Sequence, residues 1–279
     1  MKKITLNQIS EFENYLKTEE KSNLTCQKYI RDVKAFYHWL SGRNADKFTV
    51  LSYKEYISQN YASASVNSML SSINTFFDFC GRHDLRVKHL KIQRQIFAEK
   101  DKELSKDEYK QLLKAAKSNK RLYLLMQTIC SCGLRVSELK FITIDAIKKH
   151  EAEIRCKCKI RRVLLPDNLC RMLLSYATKQ GIRHGSIFIT KSGKPLNRSN
   201  IWTEMKKLSA LSNVPESKIF PHNLRHLFAR TYYSVQKDIV RLADILGHSN
   251  INTTRIYTSE TGDVHRRQIQ KLGLIHICI

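Results

Sequence analysis

Apolar residues at helical spacing dominate about the first ninety positions before a break, and this constrains the fold more than any other feature. Ile9, Phe12 and Leu16 form one stripe. Val33, Phe36, Tyr37 and Leu40 form a second, and Val66, Met69, Leu70, Ile73, Phe76 and Phe77 a third. Repeats at i, i+3, i+4 and i+7 put these side chains on one face of each helix, and the faces must be buried against one another. Thr5-x-x-Gln8 and Ser10-x-x-Glu13 both read as capping boxes, while Ser41-Gly42 and Gly81 read as stops. The expectation is a small bundle of four to five short helices over residues 1–92.

From Arg82 to Lys102 the apolar order gives way to Arg82, Arg86, Lys88, Lys91, Arg94, Lys100 and Lys102. A basic linker over 93–102 is expected, followed by a second domain over 103–279. Ser105-x-x-Glu108 caps a new helix, and helices are expected at about 106–117 and 121–132. A β-rich stretch at about 142–165 follows, then helices to the C-terminus. The fold class is mainly α with a small β-sheet (α+β).

Charge narrows the function classes. Lys and Arg total 49 against 25 Asp and Glu, a formal charge of +24, far beyond what solubility alone favours. A polyanionic partner is implied, and nucleic acid fits better than a lipid surface because no membrane anchor is in view. No apolar run approaches the roughly 20 residues of a membrane helix, and no secretory leader follows Met1, so a cytoplasmic protein is expected. The 8 Cys include two C-x-C pairs, Cys130/Cys132 and Cys156/Cys158, unlike the C-x₂₋₄-C of structural zinc; reduced thiols are expected. Neither GxGxxG nor GxxxxGK[ST] occurs, which removes the usual support for nicotinamide or ATP chemistry.

Four short motifs stand in order in the second domain: Gly133-Leu-Arg135-Val-Ser-Glu138-Leu139, His222-Asn-Leu-Arg225, Leu246-Gly247-His248 and Thr253-Thr-Arg-Ile-Tyr257-Thr258. Each alone is commonplace. Together they resemble the tyrosine recombinase family, meaning phage-type integrases and Xer-type chromosome resolvases. The N-terminal part is also similar to that family's core-binding domain, through Tyr29-x-x-Asp32-x-x-x-Phe36-x-x-Trp39-Leu40 and the helix from Ser65 to Phe79. The resemblance spans nearly the whole chain. It implies a helical core-binding bundle joined to a tyrosine-recombinase catalytic domain, with Tyr257 as nucleophile of a covalent 3′-phosphotyrosyl link.

The chemistry needs these residue types. Phosphodiester cleavage builds negative charge on non-bridging oxygens, and a planar, permanently protonated guanidinium donates paired hydrogen bonds to them, a role suited to Arg135 and Arg225. A phenol, with an ordinary pKa of about 10, needs nearby cations and a proton acceptor. By resemblance, His222 assists proton transfer at the scissile phosphate and His248 hydrogen-bonds to it. His226, off the H-x-x-R pair, reads as a packing or capping residue. Glu138, three residues after Arg135, is placed to face the guanidinium, and by resemblance is the acidic member of the site; an ordinary surface ion pair is the other reading.

The departing 5′-hydroxyl needs a proton, which the family supplies from a lysine on a β-hairpin. This chain departs from the family's G-K-G followed by K-x-R: it has Cys156-Lys157-Cys158-Lys159-Ile160-Arg161-Arg162, one residue shorter and without glycine. Alignment of the flanking K-x-R puts the donor at Lys157, with Lys159 the alternative, and a turn is expected near Cys158-Lys159. Arg155, Lys159, Arg161 and Arg162, with Lys91 and Arg94 near the linker, are expected to hold DNA phosphates. No cofactor and no metal are expected, since arginines take the phosphate-binding role.

The expected partner is double-stranded DNA with specific crossover sites, gripped by a two-domain clamp. The apolar C-terminal tail, with Ile269, Leu272, Leu274, Ile275 and Ile277, is expected to be buried, in cis or against a neighbour; in similar recombinases it links a homo-tetramer. An accessory directionality factor is possible in this family, whose members integrate, excise, invert or resolve DNA. A start directly in the core-binding domain argues for short, simple sites. The competing classes are a DNA-binding regulator on the same fold and a type IB topoisomerase.

Overall fold

At the start of the first helix, Thr5 and Gln8 cap each other's backbone N–H groups, so that α1 (Leu6–Thr18) begins with two of its free donors satisfied. Ser10-x-x-Glu13 lies inside this helix and caps nothing, which corrects the sequence expectation. The structure is a computed structural model that describes residues 3–92, 103–156, 159–190, 192–257 and 270–272. It divides into two compact units between Arg94 and Gln95.

In the first unit, α1 is followed by α2 (Asn23–Leu40), α3 (Lys47–Asn60) and α4 (Ser63–Phe79). Ser22 and Asp46 cap α2 and α3. Phe12, Phe36, Phe76 and Phe77 fill the centre, with Phe12 meeting Phe76 edge-on at 5.2 Å. Buried Asp32 accepts from Ser72 at 2.9 Å and pairs with Lys28 at 2.7 Å, which fastens α2 to α4. The chain after α4 is more ordered than its basic composition implies: Asn74 bonds both backbone groups of Val87, and Asn67 those of Leu90. Lys91 is exposed just beyond. The expected linker at 93–102, including Arg94, lies outside the described residues.

In the second unit the Ser105–Glu108 capping box opens α5 (Lys106–Ala115), and α6 (Lys120–Cys132) follows. A 3₁₀ segment, Val136–Phe141, leads to the short α7 (Ile144–Lys148), which Thr143 caps. The β-rich stretch is therefore narrower than expected: it is one antiparallel hairpin, β1 (Glu151–Cys156) with β2 (Lys159–Leu164). Ala152, Ile154 and Val163 face the core at 0%, 1% and 5% exposure, and alternation places Arg161, paired with Ile154, on the same face. Cys156 pairs with Lys159, so Lys159 begins β2 instead of lying in a turn.

The remaining elements are α8 (Asp167–Lys179), α9 (Arg198–Lys206), α10 (Ser209–Ser212), α11 (Pro221–Gln236) and α12 (Ile239–Leu246), with 3₁₀ turns at Ile251–Thr253 and Arg255–Tyr257. Helix α11 packs on α6, whose Leu124, Met126 and Ile129 are fully buried. No described helix is long and apolar enough to cross a membrane. The apolar C-terminal tail, apart from 270–272, lies outside the described residues.

Candidate active site

Two helix ends supply the floor of the site. Helix α6 ends on Gly133 at φ +61° and α12 on Gly247 at φ +64°, a left-handed geometry that glycine adopts without a Cβ penalty. The last carbonyls of a helix have no partner within it and carry its negative dipole end. Here they receive arginines. Arg225, 1% exposed in α11, donates to the Gly133 carbonyl through Nη1 and to the Leu246 carbonyl through Nη2 at 2.7 Å. Arg161 donates to the Ile245 carbonyl, and Arg135 lies 3.5 Å from that of Gly247.

Glu138 collects the same guanidiniums from the other side. It is 2% exposed and accepts from the Arg135 backbone at 2.8 Å, Arg135 Nη1 at 2.9 Å and Arg161 Nη2 at 2.6 Å. Arg225 Nη1 stands 4.0 Å away. One buried carboxylate thus faces three cations, so the cluster keeps a net positive charge suited to an anion. Glu138 is no ordinary surface pair. Arg135 is the most open of the three arginines, with 41% of its side chain accessible, against 14% for Arg161 and 1% for Arg225.

Helix α11 begins with Pro221 and carries three of the site's side chains, His222, Arg225 and His226, in its first two turns. His222 is exposed in the first turn; partial burial, then the charges of Arg225 and Arg135, lower its pKa. His226 meets the His222 ring at 4.3 Å and the Tyr257 ring edge-on at 5.1 Å and 90°. Its Nε2 is buried without a hydrogen-bond partner, and burial followed by the positive field of its neighbours pushes its pKa down to about 4.

Tyr257 is 5% exposed and lies between two imidazoles, with His248 nearly parallel at 6.3 Å and 16°. Burial raises the phenol pKa, while the nearby guanidiniums of Arg225 and then Arg135 pull the other way. His248 is fixed at both nitrogens: Arg225 Nη2 is 3.0 Å from Nε2, and Thr254 Oγ1 is 2.9 Å from Nδ1. Burial and then Arg225 hold the His248 pKa down to about 4.

The structure therefore brings together Arg135, Glu138, His222, Arg225, His248 and Tyr257. Arg155 and Arg162 lie on the outer face of the hairpin, highly exposed and paired with Glu153 at 2.5 Å and Glu151 at 3.3 Å. Lys157 lies outside the described residues, and of Lys159 the backbone in β2 is described. Three further residues border the site: Arg161, which the sequence reads as a phosphate contact, His226, which it reads as packing or capping, and Thr254, to which it gives no role. Alternation along β2 carried a signal for Arg161, two residues before buried Val163; nothing in the sequence marked Thr254 as the His248 partner.

With this geometry in hand, likeness to known proteins identifies the chain. The phage integrase family profile matches residues 102–262, and the family's N-terminal SAM-like domain matches 9–83. The chain belongs to the phage integrase family. Its curated relatives include the tyrosine recombinase XerA of Thermococcus kodakarensis, 29% identical over 96% of this chain and 95% of the relative. Tyrosine recombinase XerD of Halalkalibacterium halodurans is 28% identical over 91% and 93%. In fold, the chain is similar to a lambda integrase dimer bound to a COC′ core site, with TM-score 0.74 and 18% identity over 92% of this chain and 96% of that one. It is also similar to XerH bound to its difH substrate, with TM-score 0.68 and 17% identity over 96% and 85%.

Proposed function

We propose that this protein is a site-specific DNA recombinase that cuts and rejoins strands through a 3′-phosphotyrosyl intermediate on Tyr257. The observation that carries this reading is a buried phenol that meets the rings of His226 and His248, with Arg225, which holds His248, in a cluster of three guanidiniums around Glu138. Arg135 and Arg225 neutralise the non-bridging oxygens of the scissile phosphate as charge builds there. Arg135 does so from the open side: its bonds to Glu138 and Gly247 use two of its N–H donors and leave others free.

Tyr257 attacks phosphorus and releases a 5′-hydroxyl. His222, neutral and exposed at the start of α11, takes the phenolic proton. The leaving oxygen is protonated by a hairpin lysine, Lys157, with Lys159 the alternative. Because the phosphotyrosyl ester keeps the energy of the broken bond, a 5′-hydroxyl from another strand reseals it without ATP. The arginines supply the electrostatic stabilisation, and the reaction runs without a metal ion. DNA duplex is the substrate, consistent with the charge of +24 and with the DNA-bound relatives in fold. Exposed Arg155, Arg162 and Lys91, with Arg94, contact its phosphates, and four protomers act on two sites, a reading supported by the likeness in fold to a lambda integrase tetramer bound to a Holliday junction.

The test is a nicked suicide duplex carrying a crossover site selected by binding from random sequence. A denaturant-resistant protein–DNA adduct should form in the presence of a metal chelator and vanish in Tyr257→Phe. Binding without any adduct would mark a DNA-binding regulator on this fold.

A further inference from the structure

We infer that Arg161 is a positioning residue that locks the lysine-bearing hairpin onto the catalytic cluster, and not a contact to DNA phosphate. This rests on the reading above, in which a hairpin lysine protonates the leaving oxygen. Arg161 sits on the face of β2 that packs on the core, paired with buried Ile154, and only 14% of its side chain is accessible. A cation there must be paired, and its fork reaches two separate segments. Nη2 meets Glu138 at 2.6 Å, and Nη1 donates to the Ile245 carbonyl at the end of α12.

Gly247 completes the lock. A Cβ on it would fall 2.5 Å from Arg161 Cδ and 2.9 Å from Nε, so the arginine stem lies directly on that glycine's backbone. The glycine is needed for this close approach as well as for its positive φ. Next to it stands His248, which holds Arg225. Arg161 therefore ties β2 at once to the Glu138 carboxylate that it shares with Arg135 and to the turn that carries His248. Both candidate donors lie on this hairpin sequence, Lys159 two residues and Lys157 four residues before Arg161. Arg135 does not depend on the tie, because Glu138 is held to it by two further bonds, one to its backbone and one to its side chain. Loss of Arg161 should release the hairpin lysine while leaving Arg135 and Arg225 seated.

The distinguishing experiment compares cleavage of a normal duplex with one whose scissile 5′-bridging oxygen is sulfur, a leaving group that needs no proton. Arg161→Ala should slow the oxygen substrate by about 100-fold or more and the sulfur substrate by less than about tenfold. Arg161→Lys, which keeps a charge for Glu138 but cannot fork to Ile245, should fall between. DNA affinity of both variants should stay within about threefold of the parent, with the salt dependence unchanged; loss of a phosphate contact would lower that slope by about one. Lys157→Ala and Lys159→Ala run alongside. If one lysine variant is rescued by sulfur and Arg161→Ala is not, the positioning role is overturned while the lysine reading stands. If neither lysine variant is rescued, the lysine reading fails and this inference with it. Equal loss on both substrates in Arg161→Lys, at unchanged melting temperature, also overturns it.

Discussion

Arg225 Nη2 lies 3.0 Å from His248 Nε2, and this contact fixes the proton on the other side of the ring. A guanidinium only donates, so Nε2 accepts, and Nδ1 carries the hydrogen that it donates to Thr254 Oγ1 at 2.9 Å. Protonation of His248 would break its bond to Arg225 and place a cation beside another. Burial, together with the same arginine that grips the two helix ends, thus holds the residue neutral.

Stability should depend on pH through this feature. His226 and His248 are held at about 4 against an ordinary 6.5, so on acidification the unfolded chain takes up their protons first. Folded stability should be full above about 6.5 and decline as pH falls towards about 4. Urea midpoints measured across that window should show the decline, and His226→Gln should flatten part of it. A slope identical to the parent's in that variant would contradict the burial of a neutral His226.

Removal of the shared carboxylate should be costly. Glu138→Ala leaves three guanidiniums without their buried counter-charge and should destabilise the fold by about 3–5 kcal/mol, with Glu138→Gln milder because one carbonyl acceptor remains. Chemical denaturation measures this directly. A loss below about 1 kcal/mol would mean that the cluster is solvated rather than paired.

Gly133 admits no side chain. A Cβ there would stand 2.5 Å from Phe228 Cδ1 at a φ of +61°, so Gly133→Ala should cost about 1–3 kcal/mol through overpacking and backbone strain. Phe228→Leu in that background should recover the packing part. Thermal melts of the single and double variants would separate the two, and no recovery would assign the whole cost to φ.

His226 bears on the chemistry through its ring. His226→Ala should slow adduct formation by about tenfold, because the wall that meets Tyr257 edge-on at 5.1 Å is lost, while His226→Phe should restore most of the rate. DNA affinity should not move in either variant. Recovery with Gln but not with Phe would show that the ring nitrogen, not the ring, is what Tyr257 uses.

Much of this architecture was legible in the sequence for identifiable reasons. Helix faces such as Ile9–Phe12–Leu16 repeat at a fixed spacing, and the Ser105–Glu108 box spells its own hydrogen bonds. The β expectation over 142–150 failed because Ile142, Ile144 and Ile147 alternate loosely, whereas Thr143 caps a helix there. Ser10-x-x-Glu13 misled because a capping pattern acts only where backbone donors are free, and Thr5 had already started the helix. Arg161 read as one more basic residue in a basic strand, since the carboxylate that claims it stands 23 positions away. His226 reads as a packing residue and does pack, but that one of its partners is Tyr257 depends on how the last turns fold back on α11.

The grip of the helix ends on the arginines has a consequence for how the protein tolerates change. The acceptors at Gly133, Ile245, Leu246 and Gly247 are main-chain oxygens that every amino acid possesses. Residues whose carbonyls do the holding are therefore exchangeable in identity wherever their side chains are not packed, provided the chain still turns at the same point. A saturation scan should find intolerance concentrated at the two glycines that make those turns and at the arginines themselves, with Ile245, pointing its oxygen inward whatever its side chain, among the freer positions between them.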